Sequence, residues 1–153
     1  MGPYAGPLRA AILALKRGRR DAGDALAELL AERLRARFPP NRLIVPVPTA
    51  AARRRERGFD QGVRLAELVG ARLQRPVLVA LRRRAGDTQR GRSRTARLAA
   101  HGRYACAAPE LVAGVRIVLL DDVVTTGATL RDCATALQAA GALVREAVVL
   151  AYA

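Results

Sequence analysis

Apolar residues recur along the chain with two periods, and the changes of period mark its elements. Leu8, Ala11, Ile12 and Leu15 fall at i, i+3, i+4 and i+7, the spacing of one buried helical face. Gly18 and the Arg pair after it predict the end of that helix. Asp21 or Asp24 is placed to cap a second helix with the stripe Leu26, Leu29, Leu30 and Leu34, stopped by Pro39-Pro40. LIVPVP at 43–48 reads as a short buried strand whose prolines close its ladder. Ala66, Val69 and Leu73, flanked by Leu65 and Leu68, predict a helix through 61–73. VLVAL at 77–81 reads as a second strand. RIVLLDD at 116–122 reads as a third, its unbroken apolar run typical of a strand covered on both faces. Leu130, Cys133, Ala134 and Leu137 mark a helix ending at Gly141, and VREAVVLAY is the last strand. Strands separated by helices predict one α/β domain, 1–153, with a central, mostly parallel sheet flanked by helices.

Composition narrows what such a domain can meet. The chain has 153 residues, 51% of them apolar, which is enough for a packed core and too many for a disordered tail. Aromatics are only 3% and Trp is absent, so the core must be Ala, Leu and Val. Lys and Arg number 27 against 13 acids, a formal charge of +14, which predicts a polyanionic partner. Half of that excess lies in 82–103, where eight Arg face Asp87 alone. This Gly- and Ser-containing stretch has little apolar periodicity and reads as a mobile anion-binding arm. Cys106 and Cys133 lie far apart without zinc-site spacing, so a reduced, cytoplasmic setting is expected. The N-terminal apolar stretch is too short to span a bilayer, and no membrane partner is expected.

Chemistry concentrates in Val118-Leu119-Leu120-Asp121-Asp122-Val123-Val124-Thr125-Thr126-Gly127-Ala128-Thr129-Leu130. A buried strand runs into two acids, then a small polar loop, then a helix. Ligands of open α/β sheets bind beyond the carboxyl ends of the strands, so the acids stand at the mouth of a site. Thr125, Thr126, Gly127, Ala128 and Thr129 present N–H groups and hydroxyls at a helix N-terminus, where phosphate is favoured. Two carboxylates beside that loop suit vicinal hydroxyls, or Mg²⁺ held through water. Phosphate and diol together describe a ribose 5-phosphate. A P-loop and a dinucleotide fingerprint are both excluded by spacing, and no Ser/His/Asp triad is evident.

These residues resemble the 5-phosphoribosyl-1-pyrophosphate (PRPP) signature of type I phosphoribosyltransferases. Val45-Pro46-Val47-Pro48 with Arg57-Gly58-Phe59-Asp60-Gln61 is similar to the V-P-V-P…R-G-F-N-Q pattern of the ComF/GntX family, named for competence and gluconate contexts. Thr88, Gln89 and Arg97 resemble that family's T-x-x-Q…R arm with a shortened spacing, and Tyr4, Leu8, Ile12 and Lys16 its opening helix. Asp60 stands where the pattern usually has Asn, and Ala100-His101 where an Asn is usual after the arm. The resemblance is to the domain without the Cys-rich zinc segment that often precedes it.

The resemblance implies the type I fold with a small flexible hood, placed at 82–110. It implies PRPP binding with Mg²⁺ and phosphoribosyl transfer to an acceptor that the sequence does not identify. Asp121 and Asp122 would be the catalytic pair on the ribose hydroxyls, and Thr125 to Thr129 the 5-phosphate loop. Thr49, Ala50 and Arg57 would meet the pyrophosphate, with Thr88, Gln89 and Arg97 in the closing loop. A competence role on the same fold, handling single-stranded DNA, is the rival reading, although so few aromatics suit base stacking poorly. A homodimer is a further expectation. Lys16, the only lysine, reads as a solvated helix-surface residue, and Cys133 as a buried thiol on its helix's apolar stripe. For His101, the only histidine, nothing supports a general-base role.

Overall fold

The computed structural model describes residues 2–49, 58, 60–84 and 102–153. A four-stranded parallel sheet forms the centre, in the order β1 (Gly2–Pro3), β6 (Leu143–Tyr152), β5 (Arg116–Val124), β2 (Leu43–Pro46). Helices α1 (Gly6–Lys16), α2 (Arg20–Arg35) and α3 (Gln61–Leu73) cover one face. The other face carries α5 (Ala128–Gln138), the short α4 (Pro109–Val112) and an antiparallel pair, β3 (Leu81–Arg83) with β4 (Tyr104–Cys106). The expected α/β class, with a parallel sheet between helices, is what the chain adopts.

Alternation along β5 builds both cores at once. Val118 and Leu120 pack with Ile12, Leu30, Leu65 and Val69 on one side. Ile117 and Leu119 pack with Val45, Val112, Cys133 and Leu137 on the other. All four β5 residues are about 1% exposed. A strand buried on both faces must be apolar at every position, which is why this run shows no period of two.

The local rules hold at several boundaries. The α1 ladder ends at Gly18, whose φ of 85° accommodates the left-handed turn that releases the chain toward α2. At β2, Val47 still donates to the Leu120 carbonyl at 2.9 Å, while Pro46 and Pro48 on either side have no N–H to give. The expected helix at 61–73 matches α3.

Other expectations are corrected. Neither Asp21 nor Asp24 caps α2: Arg19 is the cap residue, its side chain makes no capping bond to the helix backbone, and its guanidinium instead holds Asp21 at 2.9 and 2.6 Å. Asp24 lies inside the helix and meets Arg72 of α3 at 3.1 Å. Leu29 is 36% exposed, and Ala27 and Ala31 take its place in the core. The expected strand at 77–81 is a single bridge from Val77 to Ile44, after which the chain leaves the sheet edge and pairs from Leu81 onward with β4. Within the expected hood, 82–83 and 104–106 are therefore paired strand and 109–112 is helical, rather than loop. Residues 85–101 of that segment lie outside the described residues.

One close approach fixes how α3 sits against the turn that follows it. A Cβ on Gly70 would stand 2.5 Å from Val77 Cγ2 and 2.9 Å from the Arg75 carbonyl oxygen. The carbonyl belongs to backbone that cannot rotate aside, so the usual helix-propensity gain of Gly→Ala is outweighed. Gly70→Ala is expected to destabilise the fold by about 1–3 kcal/mol, measured by urea unfolding.

Candidate active site

β5 sets the site because the same alternation that builds the cores continues into its two acids. Asp122 follows Val118 and Leu120 toward α1, where its Oδ2 lies 2.9 Å from Lys16 Nζ. Asp121 follows Ile117 and Leu119 toward the other layer, within electrostatic reach of Cys133 and Tyr104. The pair is adjacent in sequence but the two carboxylates have different surroundings.

Burial pushes the Asp121 carboxyl up to about 7, and the neighbouring Asp122 charge adds to the rise. The Asp122 backbone N–H, which donates to Asp121 Oδ1 at 2.8 Å, and the Lys16 charge pull the other way without cancelling it. Cys133 is pushed up to about 12, first by burial and then by Asp121, so it is an inert core thiol as its position on the stripe predicts. Asp122 Oδ2 is buried and receives no well-directed hydrogen bond; the Lys16 contact is a charge pair off the hydrogen-bonding directions.

Beyond β5 the chain turns through Thr125, Thr126 and Gly127 into α5. Gly127 is the cap residue, at φ 73°, a conformation that a side chain would strain. The Ala128 N–H donates to Thr126 Oγ1 at 3.3 Å, while Gly127's carbonyl accepts from Arg131 N at 3.0 Å and starts the helix ladder. Thr125 to Leu130 line a hollow of about 50 Å³ with Asp121, Val123 and Val124. Asp121, Val123 and Thr129 also line a cavity of about 340 Å³, so the two spaces adjoin. Its walls are Asp122 and Lys16, Thr49 beyond β2, Gln61 and Gly62 of α3, Arg83 of β3, Tyr104 of β4 and Arg103 just before it.

Thr49 is brought to this cavity by a hydrogen-bond hub. Asp60 Oδ1 caps α3, accepting from Gly62 N at 3.0 Å and Val63 N at 3.3 Å, and it accepts from Thr49 Oγ1 at 3.0 Å as well. All three partners are donors to one oxygen, a task that an Asn carbonyl can also perform. Asp60→Asn is accordingly expected to unfold within about 0.5 kcal/mol of the native chain, and Asp60→Ala to lose about 1–2 kcal/mol in thermal unfolding.

Sequence and structure therefore agree on bringing Asp121, Asp122, Thr49 and Thr125 to Thr129 together. Ala50, Arg57, Thr88, Gln89, Arg97 and His101 lie outside the described residues. Lys16 corrects the sequence reading: it is 21% exposed and ion-paired, not solvated. It sits four residues after Ile12, on the stripe that packs inward, and that spacing was the available signal. Arg83, Arg103 and Tyr104 carried no such signal, since only the pairing of β3 with β4 brings them to the cavity. Arg103 is held there by Asp132 at 2.8 Å.

Among the described residues, two larger concavities lie elsewhere. One of about 770 Å³ runs between the α1–α2 turn and the start of α3, and one of about 710 Å³ lies at the N-terminal ends of β5 and β6. Neither contains the acid pair or the loop, so size does not locate the site.

A family model for the phosphoribosyl transferase domain matches residues 59–153, from the Asp60 hub through the acid pair to the C-terminus. The chain belongs to the phosphoribosyl transferase domain family. As a member it is a phosphoribosyltransferase-type protein, and the acid pair and loop fall within the matched residues. Among solved structures, the allosteric regulatory enzyme of purine biosynthesis superposes with a TM-score of 0.62 at 20% identity. Glutamine PRPP amidotransferase from B. subtilis does so with 0.59 at 21%. Each match covers 84% of this chain, which spans only 26% of either enzyme's chain. TT1426 from Thermus thermophilus is similar at 20% identity and a TM-score of 0.51, over 86% of this chain and 83% of that one. At such identities the likeness is one of fold. No curated protein matches the chain. Among the described residues, no helix is long and apolar enough to cross a membrane.

Proposed function

We propose that this phosphoribosyl transferase domain binds PRPP with Mg²⁺ and transfers its phosphoribosyl group to a nucleophilic acceptor. The observation that carries the reading is the shared wall of the two spaces: a phosphate-sized hollow at a helix N-terminus opens beside two carboxylates. In this reading the loop from Thr125 to Thr129 binds the 5-phosphate through backbone N–H groups and hydroxyls. Asp121 and Asp122 accept hydrogen bonds from the ribose hydroxyls. The segment from Thr49 through Ala50 to Arg57 meets the pyrophosphate, where an Arg can bind two phosphate oxygens at once. The bond from C1 to the pyrophosphate oxygen breaks, and a bond from C1 to the acceptor forms. Positive charge builds on the ribose between the two events, next to the acid pair.

Among the described residues no group of three or more His, Cys, Asp or Glu could hold an ion by itself. The donor chemistry instead fits a Mg²⁺ carried mainly by ligand oxygens, with Asp121 and Asp122 as hard carboxylates reaching it through water. When bound, the ion supplies neutralisation of the departing pyrophosphate. Calorimetry of the wild-type chain with PRPP and Mg²⁺ tests the reading: saturable heat is expected below millimolar ligand, and its absence there overturns the proposal.

The V-P-V-P and R-G-F-D-Q residues support placing the chain nearest the ComF/GntX pattern, and the charge excess in 82–103 favours a second, compatible reading as a single-strand DNA binder. A salt titration tests it. Binding of a single strand that weakens by orders of magnitude between low and moderate salt supports a multi-phosphate footprint, whereas no binding at low salt removes it.

A further inference from the structure

Lys16 has a role that neither the family match nor the proposed chemistry assigns. Its ammonium leaves the last turn of α1, where the helix's carbonyl end already favours a cation, and stands 2.9 Å from Asp122 Oδ2. The two side chains are 21% and 14% exposed, and both line the cavity of about 340 Å³. The Tyr4 ring, 6.0 Å from Nζ, flanks the ammonium. The proposed ligand is polyanionic, yet the wall it must approach carries two adjacent acids. An unpaired carboxylate at Asp122 would add to the repulsion of the ligand's phosphates; the ammonium 2.9 Å from its Oδ2 offsets this charge and draws the carboxylate toward α1.

We propose that Lys16 is a positioning residue for the anionic ligand: through its ion pair it neutralises and orients Asp122, the acid of the pair on the α1 side. The inference rests on the PRPP reading of the site. It differs from a contact between Lys16 and the ligand, because its effect passes through Asp122.

Two measurements test it. Because Lys16 is the only lysine, labelling with ¹⁵N-lysine gives a single side-chain ammonium signal in nuclear magnetic resonance. The signal is expected to move when Asp122 is replaced by Asn, and an unchanged signal overturns the ion pair without reference to PRPP. PRPP affinity is then measured by calorimetry with Mg²⁺ for the wild type, Lys16→Met, Lys16→Arg, Asp122→Asn and the Lys16→Met/Asp122→Asn double variant. Lys16→Met is expected to weaken binding about 10-fold or more, and Lys16→Arg to restore most of it. In the Asp122→Asn background, Lys16→Met is expected to change affinity by less than about 3-fold, since the charge it serves is gone. Lys16→Met equal to wild type, Lys16→Arg no better than Lys16→Met, or an undiminished loss in the Asp122→Asn background each overturns the proposal. A wild-type chain that binds no PRPP while its ammonium signal still responds to Asp122→Asn overturns the functional reading instead.

Discussion

Replacing both Asp121 and Asp122 by Ala is expected to weaken PRPP binding by at least about 100-fold, with the fold retained. Each hydroxyl donating to a carboxylate is a charge-assisted hydrogen bond worth about 1.5–3 kcal/mol, and the variant loses the acceptors for two of them. The fold survives because neither carboxylate holds the core together. Asp121 bonds only its neighbour's N–H among the hydrogen bonds described, and Asp122 pairs with a lysine at the cavity wall. Calorimetry with Mg²⁺ gives the affinity, and far-ultraviolet circular dichroism checks the fold. A double variant that is folded and binds within about 5-fold of wild type would remove the acids from the ribose site and leave the loop to account for binding alone.

The second large effect is a dependence of stability on pH that runs opposite to ordinary acid denaturation. The Asp121 carboxyl rises from 3.8 in the unfolded chain to about 7 in the fold. Between those values the folded state holds the proton that the unfolded state has lost, so this group's contribution falls as pH rises through the window and levels off above about 7. Three units correspond to about 4 kcal/mol at most. Removing the charge while keeping the shape isolates it: Asp121→Asn is expected to be about 1–3 kcal/mol more stable than wild type at pH 8, and closer to it at pH 5. Urea unfolding of both chains at the two pH values measures this, and no gain at pH 8 contradicts it. A ligand that donates hydroxyls to the carboxylate favours its ionised form, so PRPP binding near pH 7 should release protons, seen as heats that vary with the buffer's ionisation enthalpy.

The sequence made the central frame legible where one physical rule acted alone. The unbroken apolar run from Ile117 to Leu120 reads as a strand between two layers, and the acids that follow it then mark the mouth of the site. The α3 stripe and the Gly18 turn were equally plain. Competition between rules hid the rest. Asp21 has the chemistry of a cap, yet the nearby Arg19 guanidinium takes its carboxylate first. VLVAL has the composition of a strand, but its backbone meets β2 at one residue before β4 captures the segment beyond it. Lys16 and Arg103 are paired at the cavity with acids far away in sequence, Asp122 and Asp132, and no local pattern records such a pairing. Asp60 is the intermediate case: its place in the R-G-F-D-Q motif singled it out, and only the fold explains why a carboxylate serves where an amide is usual.

Because successive residues of β5 face opposite sides, the two acids are rooted in different halves of the molecule. Asp122 is tied to α1 through Lys16, whereas Asp121 lies on the other side, within electrostatic reach of Cys133 and Tyr104. A sugar held by both would act as a rivet through the sheet, joining layers whose apolar cores share no side chain among the described residues. Sliding the strand by a single residue would exchange the two anchorages while leaving the motif's letters intact. The signature therefore encodes a register as well as a composition, and a domain can keep every residue of it and still lose the rivet.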